Sequence, residues 1–243
     1  MTSSSTPASH KYHVQITNVR EVSLFGRADL AFWKDRLQAE HLFPASEEGS
    51  AQLLISSVEA RFMGILFREL SISVAVCRKE GEAVQEGYFL VQAFNSLRFF
   101  AWVERTFFRT PYYPGKIQVV ASLPARAQVS QAEGTLLRAE MSAESCASGR
   151  LAREEELTWE GPIFLPRKDA GNDSAKVFFA RLSGLSKVFP FEKGDVISLT
   201  PSPSAPVIGW LRDSQFAGKE WLIRTSATHG KSKTVRRSAA GTW

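Results

Sequence analysis

Between residues 65 and 77 the chain alternates. Leu66, Leu70, Ile72, Val74 and Val76 share one face, interrupted only by Arg68, while Phe67, Glu69, Ser71, Ser73, Ala75 and Cys77 share the other. A period of two predicts a strand. The second face is small and polar, with Glu69 its only charge. A face turned to water carries several charges, so this one is expected to look into a cavity. Upstream, AQLLISSVEARF (51–62) predicts a partner strand, joined through Met63-Gly64. Extended segments are also predicted where Val14 and Ile16, then Val22 and Leu24, alternate before residue 28. Asp29 then stands as N-cap of a helix that puts Leu30, Trp33 and Leu37 on one side.

Further along, GYFLVQAFNS (87–96) predicts a strand and LRFFAWVERTFF (97–108) a helix rich in aromatics. Trp33, Trp102 and Phe99 are expected in the core. KIQVVASL, TLLRAEMSAES and RLAREEELTWEG predict further strands, the last with residues 153–156 facing water, and DVISLTP and KEWLIRTSA supply late ones. Within 173–187, KVFFARLSGLSK predicts an amphipathic helix. PSPSAP (201–206) is a loop. No repeat is visible, and no linker divides the chain. The economical architecture is one α+β domain over residues 11–228, built on a large, mostly antiparallel sheet or barrel. Residues 1–10, rich in Ser and Thr, are expected to be a disordered tail.

Composition changes the picture in two places. The 243 residues carry a net charge of +5, yet Lys231, Lys233, Arg236 and Arg237 lie in the last stretch with no acid among them. The surplus is therefore assigned to a basic flexible tail, 229–243, rather than to a folded face, and no specific nucleic-acid partner is expected. No run reaches the roughly 18 apolar residues of a membrane span, and MTSSSTPASH lacks the basic and apolar regions of a signal peptide. A cytoplasmic protein with no membrane partner is expected; homo-oligomers are left open. Cys77 and Cys146 lack metal-type spacing, the four histidines are scattered, and phosphate loops and nucleophile elbows are absent. No metal and no cofactor are expected.

A strand holding RELSISVAV leads to GYFLVQAF, then to a helix ending ERTFFRTPYYPGK, then to another strand. This order resembles the acetoacetate decarboxylase-like superfamily, in particular a branch of short bacterial proteins of unknown function. The resemblance covers residues 20–160 and implies a curved, mostly antiparallel sheet or barrel enclosing a cavity, with helices packed outside. It also implies roles. Glu69 matches the strand carboxylate of those enzymes, Arg105 the arginine of their helix, and Pro111 the proline ahead of their lysine pair. Arg20 matches an arginine near the start of the domain. Tyr112 and Tyr113 fall where the two lysines belong. A phenol cannot form an imine, and with an ordinary pKa of about 10 it stays neutral near pH 7. Lysine-dependent decarboxylation is therefore not expected from these positions, and Lys116, beyond Pro114-Gly115, is expected to be solvated.

Two readings stay open. In one, Glu69, Tyr112 and Tyr113 are catalytic residues of a site for a small ligand such as an oxo-acid. Arg105 and Arg20 bind its carboxylate, and the chemistry is lyase-like without an imine. In the other, Glu69 and Arg105 are a buried ion pair, the tyrosines fill the barrel mouth, and the protein is a non-catalytic relative.

Overall fold

The computed structural model describes residues 11–77, 79–80, 86–167 and 175–237. The chain opens on β1 (Tyr12–Asp29) and turns into α1 (Leu30–Gln38), where Asp29 caps the helix by accepting the Phe32 N–H at 2.6 Å. Two short strands follow, β2 (Phe43–Pro44) and β3 (Ser46–Glu47). Next come β4 (Ser50–Phe62) and β5 (Ile65–Cys77), a hairpin closed by the two residues Met63 and Gly64. Their φ values of 50° and 81° are what a tight, right-twisting turn demands at both central positions.

After β6 (Gly87–Asn95), α2 (Arg98–Val103) runs straight into a π-helical turn, Glu104–Phe108. Then come β7 (Tyr112–Pro114), β8 (Lys116–Val120), β9 (Arg126–Gln131), β10 (Gly134–Glu140), α3 (Ala143–Ala147) and β11 (Arg153–Leu165). The chain ends through β12 (Lys176–Pro190), β13 (Val196–Leu199), α4 (Pro206–Asp213), β14 (Ala217–Ser232) and β15 (Val235–Arg236).

Pairing places β5, β4, β1, β14, β12, β11 and β6 side by side, and β6 pairs with β5 again, so the path of hydrogen bonds returns on itself. All contacts along this path are antiparallel except β11 with β6. A second sheet, β13-β10-β9-β8, lies against the outside. Between the two sits the main core. Val22, Leu24, Ile55, Leu70, Ile72 and Val74 of the ring meet Ile117, Val119, Val129 and Leu137 of the small sheet, with Trp33 and Leu211 from the helices. The apolar face of β5 is thus the outer one, and its polar face, Glu69 included, turns inward.

The strand expected over residues 135–145 stops at Glu140, where α3 takes over from Ala143, and the structure departs from the sequence pattern at three further places. KVFFARLSGLSK is not a helix; it lies in β12, laddered to β11 on one edge and β14 on the other. The glycine that a helical pattern tolerates, Gly184, has φ 149° beside the register shift between Ser183 and Lys187. It marks an irregularity in a strand. Secondly, the expected tail from residue 229 is a strand as far as Ser232, and β15 then pairs with β12. Arg237 anchors it, donating to the carbonyls of Glu40 and His41 at 3.0 Å each. Alternating apolar positions fade after Ala227, but backbone pairing continues without them. Residues 1–10 and 238–243 lie outside the described residues. Thirdly, Trp33 is buried as expected, but Phe99 and Trp102 are exposed. PSPSAP is a loop, as expected, and α4 follows it on Pro206, whose fixed φ suits a first helical position.

One polar knot fastens the second layer to the ring. The buried Asp195 carboxylate accepts from Arg150 Nη1 and Nη2 at 2.8 Å each, from Trp221 Nε1 at 2.9 Å, and from the N–H groups of Ser142 and Glu192. Burial alone raises its pKa. The hydrogen bonds from Arg150 and the two N–H groups outweigh that and hold it below the ordinary carboxylate range. Asp195→Ala is expected to cost about 3–5 kcal/mol in chemical denaturation, because Arg150 is left charged and buried without its partner. A loss under 1 kcal/mol would show that this knot does not hold the layers together.

Candidate functional site

Because side chains alternate along each strand, register alone gathers one set of residues inside the ring. Glu21 stands opposite Val58 of β4 and Arg224 of β14, Val58 stands opposite Glu69 of β5, and Glu69 stands opposite Asn95 of β6. The interior therefore holds charged and hydroxyl side chains beside apolar ones such as Val58 and Leu90.

The first group centres on Glu21. Its Oε2 accepts from Arg224 Nη1 at 2.9 Å and lies 3.2 Å from His229 Nε2, while its Oε1 accepts from Ser23 Oγ at 2.7 Å. Arg224 also donates from Nε to Ser186 Oγ at 2.8 Å. Burial raises the carboxyl pKa, but the His229 hydrogen bond, the His229 and Arg224 charges and the Ser23 hydrogen bond together bring it down to about 2. Glu21 is thus a fixed anion.

The second group centres on Glu69, and its behaviour is the opposite. Tyr112 Oη donates to Glu69 Oε1 at 2.6 Å. Burial raises the Glu69 pKa and the Tyr112 hydrogen bond lowers it. The nearby Glu104 charge raises it again, and Lys231 and His229 lower it. The balance stands at about 7. Tyr112 is pushed well above its ordinary value by burial and by the negative Glu69 and Glu104. Completing the group, Lys231 Nζ donates to Glu104 at 2.8 and 3.0 Å and lies 4.8 Å from the Phe178 ring centroid and 5.2 Å from that of Phe108.

Local folding explains how Tyr112 and Glu104 arrive there. The full length of β6 is paired with β5 on one edge. On its other edge β11 takes Tyr88 and Phe89, and β7 takes Ala93 to Asn95. Tyr112 pairs with Ala93 and packs with Leu90, Leu165 and Phe178 in the interior. Glu104 begins the π-helical turn, a widened geometry frequent at functional positions. Arg109 closes that turn at φ 56°, with its N–H bonded to the Glu104 carbonyl. The next residue, Thr110, donates from Oγ1 to Glu104 Oε2 at 2.9 Å.

Of the residues expected in the site, Glu69 and Tyr112 meet. The others do not join them. Tyr113, the next residue along β7, pairs with Phe94 and packs against the main core on the opposite face. Arg105 is exposed, its guanidinium 5.8 Å from the Tyr113 ring centroid, so it forms no ion pair with Glu69. Arg20 points outward, 47% exposed and paired with Glu59 at 3.3 Å; its neighbour Glu21 faces inward instead. Lys116 is exposed, as expected.

Sequence reasoning missed Glu21, Glu104, Arg224, His229 and Lys231. The alternation of Val22 and Leu24 already implied an inward Glu21, by the reasoning that found Glu69. Lys231 carried no such signal, because the stretch around it reads as a polar tail. Toward the other end of the same strands a cleft of about 320 Å³ opens, lined among others by Phe25, Gln52, Tyr88 and Glu220. Among the described residues no three His, Cys, Asp or Glu side chains are grouped to hold a metal ion.

No family model matches the sequence, and no curated protein does. Solved structures do match. An acetoacetate decarboxylase-like enzyme from Sphingomonas wittichii RW1 aligns with a TM-score of 0.58 at 13% identity, over 98% of this chain and 98% of that one. An acetoacetate decarboxylase aligns with a TM-score of 0.57 at 12% identity, over 95% and 90%. The acetoacetate decarboxylase of Legionella pneumophila subsp. pneumophila str. Philadelphia 1 aligns with a TM-score of 0.60 at 15% identity, over 97% and 93%. Identities this low carry no activity across, but near-complete coverage in both directions does carry the architecture. The chain has the acetoacetate decarboxylase-like fold.

Proposed function

We propose that the ring encloses a site for a small carbonyl compound of the oxo-acid class, and that Glu69 and Tyr112 exchange a proton with it. The supporting observation is the 2.6 Å hydrogen bond between Tyr112 Oη and a Glu69 carboxyl whose pKa is raised to about 7. A carboxyl at that value gives and takes protons near neutrality, which an ordinary glutamate does not. The Tyr112 phenol, kept protonated, donates a hydrogen bond to a carbonyl oxygen as negative charge grows on it. Charge recognition falls to Lys231 in place of Arg105. Its ammonium, bonded to Glu104, sits over the Phe108 and Phe178 rings.

Phenols at residues 112 and 113 argue against imine chemistry there, yet β14 brings the amine of Lys231 beside Glu104. In this proposal Lys231 acts as a charge. Its ammonium is paired with both oxygens of Glu104, and an ammonium nitrogen carries no lone pair to attack a carbonyl. A non-catalytic reading is favoured by one observation: Glu21, Arg224, Glu69, Glu104 and Lys231 all have partners. In that reading the network only specifies the packing of the ring.

Three measurements separate these readings. Thermal shifts with a panel of oxo-acids including pyruvate and acetoacetate are expected to show binding, and Tyr112→Phe to weaken it about ten-fold or more at nearly unchanged stability. A silent panel, or equal shifts for variant and wild type, would sink the oxo-acid site.

Stability against pH tests the Glu69 environment. The folded state keeps the Glu69 proton up to about pH 7, whereas the unfolded chain releases it near 4.5. The folded state therefore binds more protons in between, and this group's contribution makes stability fall as pH rises from 4.5 to 7. Glu69→Gln, which cannot ionise, is expected to gain on wild type across that window by roughly 3 kcal/mol. A variant that is destabilised equally at both ends of the window supports the structural reading instead.

Finally, borohydride added with acetoacetate or pyruvate is expected to leave Lys231 unmodified in peptide mass spectrometry. A reduced adduct on Lys231 would replace proton exchange with an imine mechanism.

A further inference from the structure

Away from the ring interior, α2 and its π-helical turn have a second side. Inward they deliver Glu104 and the Phe108 ring to Lys231. Outward they leave Phe99, Trp102 and Phe107 exposed by 65%, 47% and 64%. These rings form one cluster: Phe99 stacks on Trp102 at 5.9 Å between centroids, and Trp102 meets Phe107 edge-on at 5.6 Å. The β4–β5 hairpin adjoins it. Phe67 packs edge-on against Phe100 at 5.8 Å, and Ser96 Oγ accepts the Arg68 N–H at 2.8 Å. The tip of that hairpin leaves Met63 and Ile65 exposed as well. Soluble surfaces seldom gather so many large apolar side chains in one place unless something covers them.

Charge decides what kind of cover fits. Arg98 and Arg105 are exposed on the aromatic segment, and Arg61 stands at the hairpin. Nearby acids are occupied elsewhere: Glu104 is held inward by Lys231, and Glu59 is engaged by Arg20 and Arg68. The face is aromatic and cationic together. Pairing it with a second copy of itself would set arginines against arginines around a closing apolar seam. An anionic lipid surface satisfies both features at once, taking the rings at the level of its headgroups and the guanidinium groups against its phosphates. We infer that this face docks on the surface of an anionic bilayer, with Phe99, Trp102 and Phe107 inserted and Arg98 and Arg105 paired to lipid headgroups. No helix among the described residues is long and apolar enough to cross a membrane, and docking at the surface requires none.

The test uses the full chain and two kinds of vesicle, phosphatidylcholine alone and phosphatidylcholine mixed with phosphatidylserine. Co-sedimentation is expected only with the mixed vesicles. It should weaken about five-fold for each of Arg98→Ala and Arg105→Ala, and should fall away in salt of about 1 M, where the screening length shrinks to about 3 Å. Phe99→Ser with Phe107→Ser should abolish it. With brominated lipid, tryptophan fluorescence should be quenched in wild type and spared in Trp102→Phe, a change that leaves the fold untouched. Three results would overturn the inference: no sedimentation with mixed vesicles, sedimentation that survives the arginine and phenylalanine substitutions, or a dimer broken by Phe99→Ser in a protein that ignores both vesicles.

Discussion

The middle stretches of β1, β4 and β5 are buried on both faces, and the two faces are chemically unlike. Val22, Leu24, Ile55, Leu70 and Ile72 press outward into the core under the second sheet, while Glu21, Ser23, Ser56 and Glu69 point into the ring. A one-residue slip in any of these strands would drive a carboxylate into aliphatic packing and expose an aliphatic side chain to a polar interior. Register is therefore pinned from both sides. Ring closure, the position of Glu69 opposite Asn95, and the arrival of Tyr112 beside Ala93 all follow from it.

Inside that frame two carboxylates reach opposite fates with the same covalent chemistry. Glu21 is surrounded by an arginine, a histidine and a hydroxyl and is held ionised. Glu69 has a phenol as its hydrogen-bond donor and Glu104 as an anionic neighbour, and it keeps its proton to near neutrality. Environments that push similar groups apart are how one interior can hold a permanent charge and a titratable one. The pairing of Glu104 with Lys231 bears on Glu69, since it leaves that carboxyl without a full counter-charge of its own.

Much of this was legible in the residues. The alternation in 65–77 identified a strand with a polar inner face, and Glu69 on it; Asp29 marked a helix start and Met63-Gly64 a hairpin turn. Tyr112 was legible through the resemblance of its surroundings to the decarboxylases. Tyr113 was not separable from it, because only the pairing of β7 with β6 shows that consecutive residues part to opposite faces. The arginines misled for a related reason: Arg20 and Arg105 each sit beside an inward glutamate, Glu21 or Glu104, and face outward themselves. β12 was misread because an apolar run with a central glycine fits a helix as well as an irregular strand, and two neighbouring ladders decided between them.

The short strand β7 has a consequence for how such an interior can change. Ring closure depends on β6 meeting β5 and β11, whereas Tyr112 rides on a three-residue strand that only borrows the edge of β6 beyond the end of β11. The Tyr112 phenol is thus supplied by a stretch of chain outside the ring strands, whereas Glu69 and Lys231 ride on β5 and β14. The side chain at residue 112 can therefore change while every ring strand keeps its own sequence and pairing.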